Sequence, residues 1–467
     1  MSSTVQRTDS TSSISSLPSP APSSRIRFSE APMNPSMSPP MSVFATPNAA
    51  RRRNARLWRR THVSAEDLQA YTPWPKTPVG RSTLRRTRWT CLGFSSIGIL
   101  AVGAMIATAI LSIPKHKYCL VLDEQFDGPL DTSIWQHEIQ VGGFGNGEFE
   151  MTTDSPNNSF VEDGKLYIVP TLTSDVYGAD AIMDNYVLNL TAQGICTGDK
   201  VADCVAFSNY TFGNYSVLPP ISSARLTTKL SKSIKYGRVE VQAKMPTGDW
   251  IWPAIWMLPR DNVYGEWPLS GEIDIAESRG NAVKNWWDKN VNVVNTALHW
   301  GLDSNTDRYA KTRGSYTVKR DYSNAKFNTY GLDWDSKGVR FWANLKSRFM
   351  GKFDFDQPFW ERGNLASATV NGSVATNPWI SAENANAAPF DQDFYLILSV
   401  AVGGTNGWFE DSGNKPWSNG APNAARDFWV NRNKWLPTWP EDPKERGMAI
   451  ESVKIWRIAE PGEQCQA

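Results

Sequence analysis

The sequence has few of the residues that metal and nucleophile chemistry require. It contains four histidines and five cysteines in 467 residues, and His299 is the only histidine between 138 and 467. It shows no Cys/His spacing typical of a zinc site and no readable Ser-His-Asp set. It also has no Walker-type or dinucleotide-type glycine-rich loop. These absences argue against metal, nucleotide and serine-hydrolase chemistry, and we expect no organic cofactor and no catalytic metal.

Charge is missing from one long segment. Residues 89–113 contain no Asp, Glu, Lys or Arg, and about 20 apolar residues are enough for a helix to span a bilayer. The segment lies too far from the N-terminus to be a plain cleaved signal peptide. We therefore predict a transmembrane helix over 89–113, with a buried core helix as the alternative.

The charges on the two sides of this segment differ. Residues 1–88 carry 14 of the 48 Lys/Arg but only 4 of the 47 Asp/Glu. The positive-inside rule places such a basic flank in the cytosol and the C-terminal portion in the lumen or outside. This topology explains the basic residues without a nucleic-acid partner. We predict a single-pass type II membrane protein of the secretory pathway or plasma membrane.

Cysteines and glycosylation sequons agree with that topology. Cys91 lies in the uncharged segment, and the other four cysteines follow it, an even number that suits an oxidising compartment. We predict the pair Cys196–Cys204, which brackets a short loop, and the pair Cys119–Cys465, near the domain ends; the other two connectivities stay open. Five sequons for N-glycosylation also follow the segment, at Asn157, Asn189, Asn209, Asn214 and Asn371.

Composition divides the rest of the chain. Residues 1–50 are dominated by Ser and Pro, which cannot bury enough apolar surface to fold, and 51–88 form a basic stretch suited to anionic lipid. We predict a disordered basic cytosolic tail over 1–88 and one globular domain over 114–467. Strand-like runs separated by turn residues predict an all-β sandwich. The predicted strands are 165–170, 223–229, 238–244, 272–277, 295–300, 329–334, 339–343, 394–402 and 450–458, with a short helix near 424–430.

Three acids stand close together in one strand-like run. Residues 272–277 read Glu-Ile-Asp-Ile-Ala-Glu, and strand alternation puts Glu272 and Asp274 on one face. Glu277 joins them only if one extra residue bulges the strand near Ile275 and Ala276, as happens beside active sites. Two carboxyl groups on one face suit a retaining glycosidase. A polar strand edge with solvated acids is the alternative.

Tryptophan is unusually frequent in the predicted domain. Eighteen of the 21 tryptophans follow residue 113, which is more than a core needs. Indole rings present large apolar faces, and these stack on the C–H faces of sugars. The abundance therefore favours a carbohydrate-binding groove.

These motifs together resemble one known family. The strings at 236–240, 252–259, 267–268, 272–277 and 298–301 are similar to glycoside hydrolase family 16, the laminarinase-like β-glucanases. The segments 142–150, 158–161, 401–407 and 415–419 look like its β-1,3-glucan recognition protein branch. The resemblance covers nearly all of 120–458. It implies a concanavalin-like β-jelly-roll sandwich and a fungal-type, membrane-anchored member of the family. Some relatives hold a structural calcium ion, but this sequence does not identify ligands for one.

The resemblance also implies roles for the acids. Glu272 would be the nucleophile and Glu277 the general acid/base, and crowding of acids on one face would push their proton affinities apart. Asp274 would tune that separation and hydrogen-bond the nucleophile. His299, on a neighbouring strand, would support the acid/base, with a structural histidine as the alternative.

Substrate-binding residues are implied in the same way. Tryptophans at positions matching Trp252 and Trp267 line sugar subsites in the family, whereas Trp256 lies inside an apolar run and is predicted to be core. A loop similar to glucan-contacting loops carries Asn146 and Glu148. Trp408 would form a further platform, with burial as the alternative.

The function that the resemblance implies is a retaining endo-β-1,3(4)-glucanase that hydrolyses cell-wall β-glucan without an obligate protein partner. Two alternatives stay open. In the first, an acceptor sugar replaces water and the chain is a β-glucan transglycosylase in wall remodelling. In the second, it is a non-catalytic β-1,3-glucan-binding receptor, because some similar animal proteins have lost the acids.

Overall fold

The computed structural model describes residues 72–111, 116–209, 216–284, 288–370, 373–411 and 413–465. The chain divides into two units, Met1–Ile113 and Pro114–Ala467. Residues 1–71 of the predicted disordered tail over 1–88, and the sequons at Asn214 and Asn371, lie outside the described residues. The two units are therefore considered separately.

The first unit contains one long helix, α1 (Pro78–Leu111), preceded by a 3₁₀ turn at Trp74–Lys76. The Thr77 Oγ1 atom accepts a hydrogen bond from the Gly80 N–H at 3.0 Å, and proline is favoured at a first helical position, so residues 77–80 define a capped start. By length and composition, Pro78–Thr108 is apolar enough to cross a membrane. The predicted disordered tail over 1–88 is wrong for 78–88, where the helix has already begun, because arginine, frequent in 81–88, is a good helix former.

The second unit is built mainly from strands. Its described part contains 23 of them: β1 (Tyr118–Glu124), β2 (Gln136–His137), β3 (Glu150–Thr152), β4 (Ser159–Glu162), β5 (Lys165–Ile168), β6 (Thr171–Leu172), β7 (Val187–Asn189), β8 (Val205–Phe207), β9 (Ile221–Ser223), β10 (Arg225–Thr227), β11 (Ser233–Ile234), β12 (Gly237–Lys244), β13 (Ile251–Pro259), β14 (Glu272–Glu277), β15 (Val293–His299), β16 (Arg313–Thr317), β17 (Asn328–Asp335), β18 (Gly338–Ala343), β19 (Leu345–Asp354), β20 (Thr369–Val370), β21 (Ser373–Val374), β22 (Phe394–Val402) and β23 (Met448–Ile458).

Helices in this unit are short and connect strands. They are α2 (Ser174–Tyr177), α3 (Val201–Cys204), α4 (Phe359–Arg362), α5 (Ala424–Val430), α6 (Arg432–Trp435) and α7 (Pro443–Arg446), with 3₁₀ turns at Gly143–Gly145, Asp180–Ile182, Tyr309–Lys311, Leu365–Ser367 and Leu436–Thr438. The helix predicted near 424–430 is confirmed.

Two eight-stranded antiparallel sheets form a sandwich. The first follows the order β19-β18-β17-β12-β23-β5-β4, with β1 beside β23, and the second follows β16-β15-β14-β13-β22-β10-β2, with β11 beside β22. Alternate residues of each sheet point inward, so Val239 and Val241 of the first meet Leu396 and Leu398 of the second in one core. The predicted all-β sandwich is confirmed, and it is consistent with a jelly roll.

Most predicted strands coincide with observed ones, and 272–277 and 394–402 agree at both ends. The predicted strand 223–229 is wrong as one element, because β9 and β10 belong to different sheets. Pattern alone also does not predict β13, since proline is rare inside a central strand. Pro253 is tolerated there because pairing of β13 with β14 begins at Ala254.

A smaller layer lies beside the sandwich. Strands β3, β9 and β6 form a three-stranded sheet, and β7 pairs with β8. This layer has its own buried apolar cluster, which includes Ile182, Leu188 and Leu218. The Cys196–Cys204 disulfide closes a loop here, and Cys119–Cys465 joins β1 to the C-terminal segment. Both predicted pairings are confirmed.

Candidate active site

The three acids of β14 lie on one face because the strand bulges. Against β15, Asp274 pairs with Ala297 and Glu277 with Asn295, so three steps on β14 match two on β15. The pairing of β14 with β13 shows the same bulge: Ile255 lies opposite Ala276 and Trp256 opposite Asp274, so two steps on β14 match one on β13. The apolar side chains of Ile273, Ile275 and Ala276 all enter the core, and the acids face the other way. The predicted bulge is confirmed.

A long cleft crosses the face of the second sheet that carries the acids. Its lining extends from Arg225 on β10, through Trp256, Glu272 and Glu277, to Ser315 on β16. The cleft volume is ≈ 2460 Å³, which exceeds the 300 to roughly 1,000 Å³ of pockets that hold small molecules. The cleft is therefore large enough for a segment of a polymer.

Each glutamate is held by the indole N–H of a tryptophan. Trp252 donates its Nε1–H to Oε1 of Glu277 at 2.9 Å, and Trp267 donates its Nε1–H to Oε2 of Glu272. Both hydrogen bonds point a carboxyl group into the cleft and leave its second oxygen for other partners. The two glutamates are thus fixed by separate donors, so their environments can differ.

His299 is held between two aspartates. Its Nε2 lies 3.2 Å from Oδ2 of Asp274, and its Nδ1 lies 2.6 Å from Oδ2 of Asp307. The Tyr309 ring stacks on the imidazole with centroids 4.9 Å apart. Nδ1 is hydrogen-bonded to Asp307 and Nε2 lies within ion-pair distance of Asp274, so carboxylate oxygens beside both ring nitrogens favour the doubly protonated imidazolium form.

The pKa values of the site differ from the ordinary ones. Burial, and then the charge of Asp274, raises the pKa of Glu272 to about 8. Burial also raises the pKa of Glu277 to about 7, and the charge of His299 and the Trp252 hydrogen bond limit that rise. Burial alone would lower the pKa of His299, but its hydrogen bonds to Asp274 and Asp307 raise it well above its usual range. The buried imidazolium of His299 therefore stabilises the ionised acids, and the Arg279 guanidinium does the same for Glu277.

These side chains also determine whether a metal can bind. Metal sites in proteins are groups of His, Cys, Asp or Glu side chains. Within the described ranges, one such group has three ligand atoms that all lie within 4.8 Å of one another: Glu272, Asp274 and His299. Both nitrogens of His299 face carboxylates, so the imidazolium has no lone pair to offer. The group fits an ion-pair chain better than a metal site. A structural calcium site stays an untested expectation.

Comparisons with known proteins fit this geometry. A family model for glycosyl hydrolases family 16 matches residues 183–351, which include all of β14. A beta-1,3-glucan-binding protein from Penaeus monodon is 38% identical over 374 residues, covering 78% of this chain and 97% of that protein. The chain belongs to glycosyl hydrolase family 16.

Other relatives of this family 16 chain include enzymes. A glucan endo-1,3-beta-glucosidase from Cryptopygus antarcticus is 30% identical over 297 residues, covering 63% of this chain and 84% of that protein. The solved laminarinase from Rhodothermus marinus has 24% identity and a TM-score of 0.45, over 74% of this chain and 100% of that one. The curated relatives are mostly arthropod proteins, and they do not support the prediction of a fungal-type member.

Two of the predicted sugar platforms cover each other. The Trp252 and Trp408 rings stack with centroids 4.9 Å apart and an angle of 11°, and the Arg279 guanidinium lies 4.4 Å from the Trp408 ring centre. Trp252 is only 7% exposed. Both residues border the cleft, and their mutual stacking covers one face of each ring, so sugar contact by Trp252 and Trp408 stays a prediction. Trp252 also serves as a hydrogen-bond donor to Glu277.

Other aromatic rings do face the cleft. Trp267 is 44% exposed beside Glu272, as the prediction of a sugar subsite requires. Trp256 is half-buried and lines the cleft, so its prediction as a core residue is wrong. The guanidinium of Arg225 lies 4.5 Å from the centre of the Trp256 ring and 4.1 Å from that of the Phe144 ring. Arg225 is a cleft residue that was not predicted from the sequence. A basic residue inside a short apolar strand was the available signal.

The two residues predicted in the glucan-contacting loop lie side by side, and one of them borders the cleft. Asn146 borders the cleft and donates its side-chain N–H to Oε1 of Glu148 at 2.8 Å. Glu148 borders a small chamber of ≈ 40 Å³ that Asn146, Glu272 and Glu277 also line. Buried Glu150 lies beside it and accepts the Val402 N–H at 2.8 Å; burial raises its pKa well above the usual range. Of the pair, only Asn146 reaches the cleft in this structure.

Proposed function

We propose that this chain is a retaining endo-β-1,3(4)-glucanase, with Glu272 as nucleophile and Glu277 as general acid/base. The observation that supports this is the bulge in β14, which brings both glutamates to one cleft. In a retaining mechanism one carboxylate attacks the anomeric carbon while the other protonates the leaving oxygen and then activates water. The open cleft admits the middle of a polysaccharide, which an endo-acting enzyme must bind.

The hydrogen bonds around the acids support separate roles. Asp274, paired with the imidazolium of His299, shares a proton with Glu272. When that proton lies on Asp274, Glu272 is free to attack as a carboxylate and Asp274 can donate a hydrogen bond to it. Glu277, with its pKa raised to about 7 by burial, retains a proton for the leaving group near neutral pH.

The test is hydrolysis of laminarin by the full-length chain in mild detergent, followed as reducing ends. We expect turnover that both Glu272→Gln and Glu277→Gln abolish. Glu361→Gln, a change at an exposed helix residue outside the cleft lining, should leave turnover unchanged. With azide and an activated glucoside, Glu272→Ala should give the α-glycosyl azide and Glu277→Ala the β-azide. The opposite assignment would reverse the two roles.

A transglycosylase uses the same residues with a sugar as acceptor. It would form oligosaccharides longer than its laminari-oligosaccharide substrate as acceptor concentration rises. Products no longer than the substrate would support hydrolysis instead.

A second candidate is a non-catalytic β-1,3-glucan receptor, which the 38% identity to a beta-1,3-glucan-binding protein favours. Intact acids on the cleft face argue for the enzyme. Laminarin binding by calorimetry, with no reducing ends released by the unmodified chain, would establish the receptor and overturn the enzyme.

We further propose that the chain is a type II membrane protein in which α1 spans the bilayer and 114–467 faces the lumen or the exterior, where cell-wall glucan lies. The absence of charge over 89–113 and the excess of arginine before it support this. In microsomes, the domain should be protected from protease and lose mass with an N-glycosidase. Exposed Asn157 is one acceptor to remove. Protease cleavage of the domain in intact vesicles would reverse the topology.

A further inference from the structure

Asp307 lies in the loop after β15 and is fixed by the backbone around it. Its Oδ1 accepts the N–H groups of Trp300 at 3.2 Å and of Tyr309 at 3.1 Å. Its Oδ2 lies 2.6 Å from Nδ1 of His299. The carboxylate therefore has one oxygen held by the main chain and the other directed at the imidazole, an arrangement that local flexibility cannot easily change.

The imidazole of His299 is enclosed by ionisable groups from two elements. From β14, Asp274 contacts Nε2, and Glu272 and Glu277 act on the ring through their charges. From the loop, Asp307 contacts Nδ1 and Tyr309 covers the ring face. His299 thus lies among four acids, and its charge lowers the pKa of both glutamates relative to burial alone, while the Arg279 guanidinium also lowers the pKa of Glu277.

We propose that Asp307 is a positioning residue for the reaction, which keeps His299 protonated and oriented so that its charge offsets the acids of β14. This inference rests on the proposed glucanase function. Asp307 does not touch the reacting atoms; it acts through His299 on Asp274, and through Asp274 on the proton shared with Glu272. Without the Asp307 charge, the ring would lose its proton more readily and the acids would hold theirs more tightly.

The Asp307→Asn variant isolates this effect. Its Oδ1 can still accept the N–H groups of Trp300 and Tyr309, so its amide NH₂ must face Nδ1 of His299. Two donors cannot face each other, so Nδ1 must become an acceptor and the ring neutral. The matched control is Asp303→Asn in the same loop, because Asp303 accepts from Thr306 and does not contact His299.

The direct measurement is a nitrogen-15 NMR titration of the histidines in the full-length chain, which has only four, with His299 assigned by His299→Gln. In the unmodified chain we expect both ring nitrogens of His299 to be protonated at pH 7. In Asp307→Asn we expect the His299 pKa to fall by about one unit or more. A neutral ring at pH 7 in the unmodified chain overturns the proposal even if the variant does not fold, and so does an unchanged pKa.

The kinetic measurement is the pH dependence of laminarin hydrolysis. Loss of the His299 charge raises the pKa of both glutamates, so the Asp307→Asn profile should move to higher pH. We expect kcat to fall about tenfold with KM within about twofold, because Asp307 acts on the reaction through His299. Asp303→Asn should match the unmodified chain. Equal effects in the two variants would mean a structural role and overturn the proposal.

The two measurements separate this inference from the proposed function. If the unmodified chain hydrolyses nothing, the glucanase proposal fails, while the NMR titration still shows whether Asp307 determines the protonation of His299. If hydrolysis occurs and the His299 pKa does not respond to Asp307→Asn, the glucanase proposal survives and this inference fails.

Discussion

Replacement of Glu277 by glutamine should stabilise the fold, and more so as pH rises. Glu277 is 9% exposed, and burial raises its pKa from a usual value of 4.5 to about 7. A carboxyl group whose pKa is raised by folding binds its proton more tightly in the folded state. Stability is therefore lost as pH rises from the unfolded pKa through the folded one. Glutamine is neutral at every pH and its Oε1 can still accept the Trp252 N–H.

The magnitude follows from the shift in pKa. About 2.5 pKa units correspond to about 3 kcal/mol in full, and about 2.5 kcal/mol of this develops between pH 5 and pH 9. Unfolding of a domain as large as 114–467 has an entropy of about 0.7 kcal/mol per kelvin, so the Tm of Glu277→Gln should rise by about 3 °C relative to the unmodified chain over that range.

The assay is scanning calorimetry of the unmodified chain and of Glu277→Gln at pH 5 and at pH 9. Because the two Tm values are compared at the same pH, the titration of other groups cancels. Glu361→Gln at the surface should show a Tm difference that does not change with pH. A Tm gap for Glu277→Gln that is equal at the two pH values would refute the reasoning, since it would mean that Glu277 is ionised in the fold at pH 5. A variant less stable at pH 9 would refute it as well.

Further predictions concern catalysis and stability. Turnover needs Glu272 ionised and Glu277 protonated, and the pKa values of these two residues are raised to about 8 and about 7. We therefore expect kcat/KM to be greatest between about pH 7 and pH 8, and an optimum near pH 5 would contradict this. Trp267→Phe keeps a ring face but loses the N–H donated to Glu272, so kcat should fall about tenfold while KM changes little. Trp267→Ala also loses the ring face, so it should raise KM as well. Equal KM values for the two variants would exclude Trp267 as a sugar platform. Replacing both Cys119 and Cys465 by serine should lower the free energy of unfolding by about 6 kcal/mol, against about 2.5 kcal/mol for Cys196 and Cys204, because the closed loops span 346 and 8 residues. Denaturant titration measures both losses, and the reverse order would contradict the loop-entropy account.

Local periodicity was enough to predict much of the sandwich and the acidic strand. Alternation along 272–275 and the continuous apolar run over 394–402 are properties of neighbouring residues, so the bounds of β14 and β22 agree with the structure. The bulge was also predictable, because three acids in Glu-Ile-Asp-Ile-Ala-Glu can share a face only with one extra residue. The even number of cysteines after the apolar segment indicated disulfides, and the short spacing of one pair and the terminal positions of the other indicated the partners.

Contacts between distant segments decided the rest of the site. Trp252 and Trp408 are 156 positions apart, and only the adjacency of β13 and β22 brings their rings together, so their stacking on each other has no local signal. Asp307 reaches His299 because the loop after β15 folds back on the strand that it leaves. The raised pKa values of the glutamates likewise depend on burial beneath loops from other parts of the chain. Sequence alone determined which residue types lie on which face of a strand, since side-chain direction follows from backbone geometry. Which of those faces a loop covers, and which charge lies beside another, was decided by the order of strands in the sheet.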